Sequence, residues 1–205
     1  LSTMATSIQF GGTYNADYWL KILKVKHVTI WYTAPTAMRM LMQEDENKFD
    51  EVRLNSLKRI YSVGEPLNPE IYYWGKETFG TEVYDNWFQS ETGSIMISNR
   101  PGLEVKPGSM GKPRSGIEAF IIDDDMALRP TGLQGHLALR KGWRSMFRTY
   151  FHKEEAYEKK FRGKYYITGD LAYQDEDGYF WYVSGADDVI NTAGHLVGPF
   201  EVESA

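Results

Sequence analysis

The sequence predicts an α/β fold in which a parallel sheet with crossover helices is followed by a small antiparallel β subdomain. In the first half of the chain, strand-like and helix-like runs alternate at the spacing of strand–helix–strand units. After Pro101, prolines and glycines cluster in the run PGLEVKPGSMGKPRSG, and short strand-like runs dominate from there on. We therefore expect an α/β portion over residues 1–104 and a β-rich subdomain over residues 105–186.

The strands of the α/β portion are predicted from short runs rich in β-branched and aromatic residues. These runs are MATSIQF (4–10), VTIWY (28–32), IYSV (60–63) and EVYD (82–85). The residues that follow such strands are the first place to look for a site, because ligands of parallel sheets bind at the carboxyl ends of the strands.

The helices between these strands are predicted from periodicity and end signals. Over about 15–26, apolar residues recur every three or four positions, which is typical of an amphipathic helix. Pro35 suits the first turn of a second helix, and Asn68 followed by Pro69 suits the start of a third. The charged segment 43–50 predicts a loop.

In the β-rich subdomain the elements are short and the turns are well marked. A DEDG turn at 175–178 lies between two strand-like runs and predicts a hairpin, and a helix is expected across 153–160. The predicted strands are IEAFII (117–122), HLALR (136–140), YYIT (165–168), LAYQ (171–174) and YFWYV (179–183).

Composition excludes several classes of protein. With 42% hydrophobic and 25% charged residues, the chain is not of the disordered type, and no apolar run approaches the roughly 20 residues that span a bilayer. A net charge of −5 with scattered lysines and arginines argues against a nucleic-acid partner. The absence of cysteine excludes disulfides and thiolate zinc sites and fits a cytoplasmic location. The four histidines do not have metal-ligand spacing.

Two segments at predicted strand ends carry chemistry. Residues 64–66 (Gly-Glu-Pro) follow one strand, and residues 86–93 follow another with two aromatics, an amide, a hydroxyl and a carboxylate close together. Aromatic faces stack on nucleotide bases, a serine hydroxyl suits a phosphate, and a carboxylate suits Mg²⁺. Asp170, at the end of YYITGD, is of the type that accepts ribose hydroxyls.

Taken singly, these residues have other interpretations. Trp87 and Phe88 are equally consistent with core aromatics, Glu91 with a solvated surface carboxylate, and Asp170 with a turn residue after glycine. Residues 64–70 are consistent with a loop and a helix cap alone. A phosphate loop of the GxxxxGK[ST] type does not occur in the sequence.

The order of the motifs carries more weight than any one of them. Seven motifs, collinear over nearly the whole chain, resemble the AMP-forming acetyl-CoA and short-chain acyl-CoA synthetases of the adenylate-forming superfamily. They are WYTAPTAMRMLM (31–42), SVGEPLNPE (62–70), YDNWFQSETG (84–93), KPGSMGKP (106–113), ITGD (167–170), DEDGYFW (175–181) and ADDVINTAGHLVGPFEVES (186–204). The chain thus resembles part of the large domain of such an enzyme.

The resemblance implies a reaction and a set of small-molecule partners. Members of this family form an acyl-adenylate and pyrophosphate from a carboxylate and ATP, then transfer the acyl group to the thiol of coenzyme A. The implied partners are acetate or another short acid, ATP and coenzyme A with Mg²⁺, without nucleic acid or membrane; the oligomeric state is left open.

The resemblance also assigns roles to single residues of this chain. Ser90 would contact the α-phosphate, Glu91 would ligate Mg²⁺, and Asp170 would bind the ribose. Asp187 would be the hinge on which a C-terminal domain swings. The residues implied around adenine are Gly64, Glu65, Pro66, Asp85, Asn86, Trp87 and Gln89, and those implied at the acyl group are Val63 and Phe88.

Phe88 departs from the acetate-selective pattern, WWQTETG, in which a second tryptophan closes the acyl pocket. A smaller ring leaves room for a propionyl-sized group, although a hydrophobic pocket discriminates by only about 1–3 kcal/mol per methylene. The natural acyl group therefore stays open.

Three further positions depart from the family pattern. Gly185 stands where the family's GRxDD motif has arginine, Leu196 where its GxR motif has arginine, and Ala193 where acetyl-CoA synthetases have a serine that contacts coenzyme A. Arginine's planar fork has no substitute in glycine or leucine at a phosphate. The chain thus either binds ATP differently or is a weakened member.

The resemblance places the family's phosphate loop before Leu1 and the C-terminal domain, with its catalytic lysine, after Ala205. We therefore expect residues 187–205 to be the hinge and the start of that domain, and the polypeptide alone to be inactive. The alternatives are a medium-chain acyl-CoA ligase, a non-catalytic or degenerate nucleotide-binding member, and a purely structural domain.

Overall fold

Two sheets make up the part of the protein that the computed structural model describes, which is residues 4–50, 56–186, 190–192 and 195–197. The first sheet has five strands in the order β1-β2-β3-β4-β5. Strands β1, β2 and β3 are parallel, and the two short strands β4 and β5 add on antiparallel to β3 and to each other. Their bounds are Ile30–Thr33 (β1), Arg59–Ser62 (β2), Val83–Trp87 (β3), Ile97–Ser98 (β4) and Lys112–Pro113 (β5).

Helices lie before and between the parallel strands, as the alternation of runs predicts. They are α1 (Ala16–Val25), α2 (Pro35–Met42), α3 (Asn47–Asp50) and α4 (Pro69–Phe79). Side chains of β1 and β2 alternate between exposed and buried, and the buried ones pack with apolar residues of α1, α2 and α4 in one core. This one-sided packing follows from the period of two in a strand and from the apolar stripe on each helix.

End signals in the sequence place the helices correctly. The Asn15 side chain accepts a hydrogen bond from the backbone N–H of Tyr18 and so caps α1. Asn68 caps α4 in the same way by accepting from the N–H of Glu70, and Pro69 occupies the first turn. Gly80 ends α4 in the left-handed conformation, with φ of 66°.

The second sheet is antiparallel and has the order β10-β9-β7-β6, with β8 paired to β9. Its hairpin between β9 and β10 turns at residues 175–179, as the DEDG run predicts. A short helix, α5 (Glu154–Lys159), precedes β8, and β11 (Ile190–Thr192) pairs with β12 (His195–Val197) in a separate ribbon. The strands are β6 (Ala119–Ile122), β7 (Gly135–Arg140), β8 (Phe161–Arg162), β9 (Tyr165–Gln174) and β10 (Phe180–Gly185).

The predicted fold class is confirmed, but some local predictions are wrong. Residues 4–10 are exposed and form no strand, because strand propensity needs a neighbouring strand to complete its hydrogen bonds. Part of the predicted loop 43–50 is the helix α3. The runs YYIT and LAYQ are one continuous strand, β9, and not two strands separated at Gly169-Asp170.

Two cores meet where β3 ends. The first core draws on residues between 16 and 83, and the second on residues between 87 and 180. Trp87, the last residue of β3, already belongs to the second core. The predicted boundaries at 104 and 186 remain predictions, and β5 pairs with the first sheet.

None of the helices described in residues 4–50 and 56–186 is long and apolar enough to cross a membrane.

Candidate functional site

Strands β1 and β2 end at one level, and β3 runs two residues further, to Trp87; all three present polar residues at that level. Thr33, Ser62 and Asp85 are aligned in register across β1, β2 and β3, and all three are buried. Residues 63–66 leave the end of β2, and residues 88–91 leave the end of β3. The two segments that the sequence singles out therefore start side by side, as the geometry of a parallel sheet requires.

A cavity of about 210 Å³ opens beside these strand ends. It brings together all eight of the residues that the resemblance assigns to adenine and ribose, together with Phe88. Its lining consists of Gly64, Glu65, Pro66, Asp85, Asn86, Trp87, Phe88, Gln89, Met110, Asp170 and Tyr182. Segments far apart in the chain thus converge on one concave surface.

A bulge of two extra residues in β9 places Asp170 in this cavity. On β7, residues 136 and 138 pair with residues 171 and 167 of β9, so β9 carries two extra residues between these pairs. A bulge of this kind re-aims side chains, and Gly169 permits it with φ of 88°. Asp170 therefore lies within a bulged strand and is not a turn residue.

Hydrogen bonds join Asp170 to the segment after β3. Its Oδ2 accepts from Trp87 Nε1 at 3.0 Å and from Gln89 Nε2 at 3.2 Å, while Oδ1 receives no donor from the described residues. Burial raises the pKa of Asp170 to about 6, against the lowering effects of the Trp87 hydrogen bond and the Lys160 charge. One carboxylate oxygen is thus fixed by the protein and the other is available to a ligand.

Gln89 is held from both ends of its amide. Nε2 also donates to the carbonyl of Thr168 at 3.1 Å, and Oε1 accepts from the hydroxyl of Tyr166 at 2.8 Å. Tyr166 is fully buried in the second core, and this burial raises its pKa, so its hydroxyl remains a donor. Gln89 is therefore a rigid part of the cavity wall.

Asp85 and Asn86 form the buried floor at the end of β3. Asp85 Oδ1 accepts from the backbone N–H of Asn86 at 3.0 Å, and burial raises the pKa of Asp85 to about 7. The side-chain Nδ2 of Asn86 is buried without an acceptor among the described residues. A buried donor without a partner is costly, and Nδ2 is one such group under the cavity.

Ser90 and Glu91 lie beside the cavity and not in its lining. Ser90 is exposed, and Glu91 is half-buried with its Oε1 accepting from the hydroxyl of Tyr150 at 2.6 Å. Burial, followed by this hydrogen bond, raises the pKa of Tyr150 to about 12. Trp87 is a core aromatic, and it also lines the cavity. Glu91 is not simply a solvated surface carboxylate, because it accepts a hydrogen bond from Tyr150.

The remaining predicted positions divide into three kinds. Phe88 lines the cavity with 41% of its surface exposed, whereas Val63 is half-buried outside the lining. Gly185, where the resemblance expects an arginine, is paired directly with Asp170 in the β9–β10 register. The predicted hinge Asp187 lies outside the described residues, as does Ala193.

Two cavity residues, Met110 and Tyr182, are not among those predicted from the sequence. Met110 reaches the site because its backbone N–H donates to the carbonyl of Phe180 on β10, at 2.9 Å. Sequence spacing does not reveal this contact, since it depends on how two distant segments pair. The one available signal for Met110 is its place inside the KPGSMGKP motif.

Comparison with known proteins bears on the family and the fold of the chain. The family described as "AMP-binding enzyme" matches residues 4–151, which is well over half of the chain. The chain belongs to the AMP-binding enzyme family. The resemblance inferred from the seven motifs is thereby confirmed at the level of the family.

Relatives of the chain within this family carry more specific names. It is 46% identical over 98% of its length to acetyl-coenzyme A synthetase of Bacillus subtilis, of which it covers 35%. It is 42% identical over 91% of its length to the mitochondrial acyl-coenzyme A synthetase ACSM3 of Mus musculus, of which it covers 32%. The chain thus spans about a third of the length of these curated relatives.

A solved structure shares the fold of this chain. The anthranilate CoA ligase AuaEII, in complex with anthranoyl-AMP, superposes with a TM-score of 0.87 at 34% identity. The match covers 95% of this chain and 36% of that ligase. It confirms the predicted fold class, an α/β portion followed by an antiparallel β subdomain.

Proposed function

We propose that the protein is an AMP-forming acetyl- or short-chain acyl-CoA synthetase, to which this chain contributes one wall of the active site. The observation that carries the proposal is the convergence of eight predicted nucleotide residues, from three separate segments, on one cavity. The names of the Bacillus subtilis and mouse relatives support the same reaction class. In this reaction a carboxylate attacks ATP to form an acyl-adenylate and pyrophosphate, and coenzyme A then takes the acyl group.

The nucleotide would lie with its base against residues 64–66 and Trp87. Asp85 and Asn86, which both line the cavity, would flank the base from the end of β3. Asp170 Oδ1 would accept from the ribose hydroxyls while Oδ2 stays bonded to Trp87 and Gln89. The hydrogen bonds already present in the protein thus pre-orient the groups that bind the nucleotide.

Ser90 and Glu91 would lie at the phosphates. Mg²⁺ in phosphoryl-transfer sites is held by one or two carboxylates together with phosphate oxygens and water. Among the described residues no group of three or more His, Cys, Asp or Glu side chains could hold a metal ion, and Glu91 would be one ligand beside phosphate oxygens and water. The ion would neutralise charge that develops on the transferring phosphate.

The chemistry asked of this chain is positioning. Adenylation is an in-line displacement at phosphorus, and its attacking carboxylate is already ionised at neutral pH, so no general base is needed. Trp87, Gln89 and Asp170 would fix the nucleoside, and Phe88 with Val63 would border the acyl group. Phe88 is half-exposed at the cavity, which leaves its ring free to contact a short acyl chain.

A second candidate, a nucleotide-binding member with little or no ligase activity, is favoured by one observation. Gly185 lies directly opposite Asp170, so no arginine side chain reaches the ribose from this position. The medium-chain ligase alternative differs from the proposal only in the acid that it uses. Asp187 as a hinge, inactivity of the isolated polypeptide and a cytoplasmic location stay predictions.

The test is acid-dependent exchange of pyrophosphate into ATP, with the protein expressed from its complete reading frame. We expect Mg²⁺-dependent exchange with acetate or propionate and little with octanoate. Asp170→Asn should lower kcat/KM by about tenfold or more, because a hydrogen bond to a charged acceptor is lost. Glu176→Gln, an exposed carboxylate in the β9–β10 turn, serves as the matched control and should leave the exchange unchanged.

The outcomes separate the candidates. Octanoate preferred over acetate would select the medium-chain ligase, and AMP binding without exchange would select the nucleotide-binding member. A protein that shows neither pyrophosphate exchange nor AMP binding would refute the proposal. Phe88→Trp tests acyl selectivity and should raise kcat/KM for acetate relative to propionate. An unchanged ratio of the two values would mean that Phe88 does not border the acyl group.

A further inference from the structure

We propose that Tyr150 is a positioning residue for Glu91, whose carboxylate it orients toward the metal–phosphate site. This inference rests on the proposed function, because that function assigns Mg²⁺ to Glu91. Tyr150 lies outside the cavity lining, so it would act through Glu91 and not by touching the nucleotide. The argument starts from the backbone that carries Tyr150.

The segment 143–150, which we call the clamp segment, connects β7 with α5 and packs across the loop that follows β3. The backbone N–H of Phe147 donates to the carbonyl of Glu91 at 2.9 Å. Trp143 Nε1 and Ser145 Oγ both donate to the carbonyl of Thr92, at 2.9 and 2.7 Å. Three donors of the second half of the chain thus hold two consecutive carbonyls of the candidate site.

The closeness of the two segments depends on Gly93. Its φ is 65°, and a Cβ at this position would lie 2.3 Å from the carbonyl oxygen of Ser145. No larger residue fits here without moving the backbone of the clamp segment. The loop after β3 and the clamp segment are therefore packed backbone to backbone. This packing fixes the position of the backbone that carries Tyr150 relative to Glu91.

The side chain of Tyr150 completes the connection. Its ring packs on Phe147 with centroids 5.1 Å apart, and Phe147 in turn packs on the buried Tyr166 at 5.9 Å. From this anchored ring the hydroxyl donates to Glu91 Oε1 at 2.6 Å. A tyrosine hydroxyl carries its proton at neutral pH, so it is the donor in this contact and the carboxylate oxygen is the acceptor.

Holding one carboxylate oxygen has a definite consequence for metal binding. A glutamate side chain that is free to rotate loses conformational entropy when it binds an ion, and a hydrogen bond to Oε1 removes part of that cost beforehand. Partners of metal ligands that act in this way typically change metal affinity by about 10–100-fold when they are removed. Oε2 of Glu91 has no partner among the described residues and is available to the ion.

The experiment measures binding of Mn²⁺, a spectroscopic substitute for Mg²⁺, in the presence of ATP by electron paramagnetic resonance. Tyr150→Phe is the test variant. Tyr157→Phe is the matched control, because its ring also packs on Phe147, at 4.8 Å, while its hydroxyl has no hydrogen-bond partner among the described residues. We expect Tyr150→Phe to weaken Mn²⁺ binding about tenfold and Tyr157→Phe to leave it unchanged.

A double-mutant cycle excludes a merely structural role. In the Glu91→Gln background, Tyr150→Phe should have no further effect on the Mn²⁺ dissociation constant, whereas a general loss of stability would act additively. Equal Mn²⁺ affinity in Tyr150→Phe and the wild type overturns the inference, and so does an additive cycle. Absence of pyrophosphate exchange in a protein whose Mn²⁺–ATP site still depends on Tyr150 would refute the proposed ligase activity but not this inference.

Discussion

Asp170 is the single residue at which fold and chemistry are most closely joined. The bulge in β9 turns its side chain into the cavity, and Trp87 and Gln89 hold one of its oxygens there. Burial makes the charged form less favourable, which is why the pKa of Asp170 rises to about 6 even though one neighbouring donor and Lys160 oppose the rise. The charge on Asp170 is therefore sensitive to pH in a range close to neutrality.

This pKa predicts how nucleotide binding changes with pH. Ribose hydroxyls are accepted best by the ionised carboxylate, so AMP affinity should be constant above pH 7 and fall by about tenfold per pH unit below about 6. Calorimetric titration with AMP between pH 5 and 8 is the measurement. Asp170→Asn should bind weakly without this step near pH 6, and an identical pH profile for that variant would assign the titration to another group, such as the buried Asp85.

At the scale of single elements, the helices are determined mostly by local signals. Asn15 and Asn68 cap α1 and α4 through the hydrogen bonds that their position in the sequence predicts. Strands that depend on distant partners are harder to predict: β4 and β5 consist of two residues each, and they form because β4 pairs with β3 and β5 pairs with β4. Residues 64–66 lie between β2 and α4, so the cap of α4 also helps to hold this wall of the cavity.

Removal of the α4 cap should therefore have a measurable effect. Asn68→Ala should lower the free energy of unfolding by about 1 kcal/mol, because the N–H of Glu70 loses its acceptor. Asn68→Asp is the matched control: it keeps the acceptor and places a negative charge at the positive end of the helix, so stability should be retained. Urea unfolding measures the free energy of unfolding of both variants. An equal loss of stability in the two would show that other contacts of the Asn68 amide matter more than the cap.

At the scale of the whole molecule, the site is also the junction between the two cores. Trp87 ends a strand of the first sheet yet packs in the second core, and Gln89 bonds to three residues of β9, Tyr166, Thr168 and Asp170. A ligand in the cavity would contact both sides of this junction. The hydrogen bonds that shape the site thus also couple the two sheets.

Gln89→Leu tests this coupling. The variant keeps the size of the side chain but leaves the buried Tyr166 hydroxyl without its acceptor, so the free energy of unfolding should fall by about 2 kcal/mol. Gln174→Leu, on the same strand as Asp170 but with no side-chain hydrogen bond among the described residues, is the control and should be near neutral. Tryptophan fluorescence and circular dichroism should shift together in urea; a shift in one probe alone would mean that the two cores unfold independently.

The family and the fold class follow from the sequence because both rest on order along the chain. Alternating runs, helix caps and the DEDG turn are local signals, and seven collinear motifs establish the family that the comparisons confirm. The same motifs name nine of the eleven residues that line the cavity. What fails locally is the strand expected at 4–10, which has the right residues but no partner strand among the described residues.

Only the tertiary structure decides what distant segments do to each other. That Asp170 sits in a bulge opposite Gly185, that Met110 and Tyr182 reach the cavity, and that Tyr150 holds Glu91 all depend on strand register and backbone packing. A strand's register depends on the distant segment with which it pairs. The periodicity within one segment does not identify that partner. The sequence by itself therefore determined the family, the sheet and the candidate residues, and the packing of one half on the other decided how those residues are held.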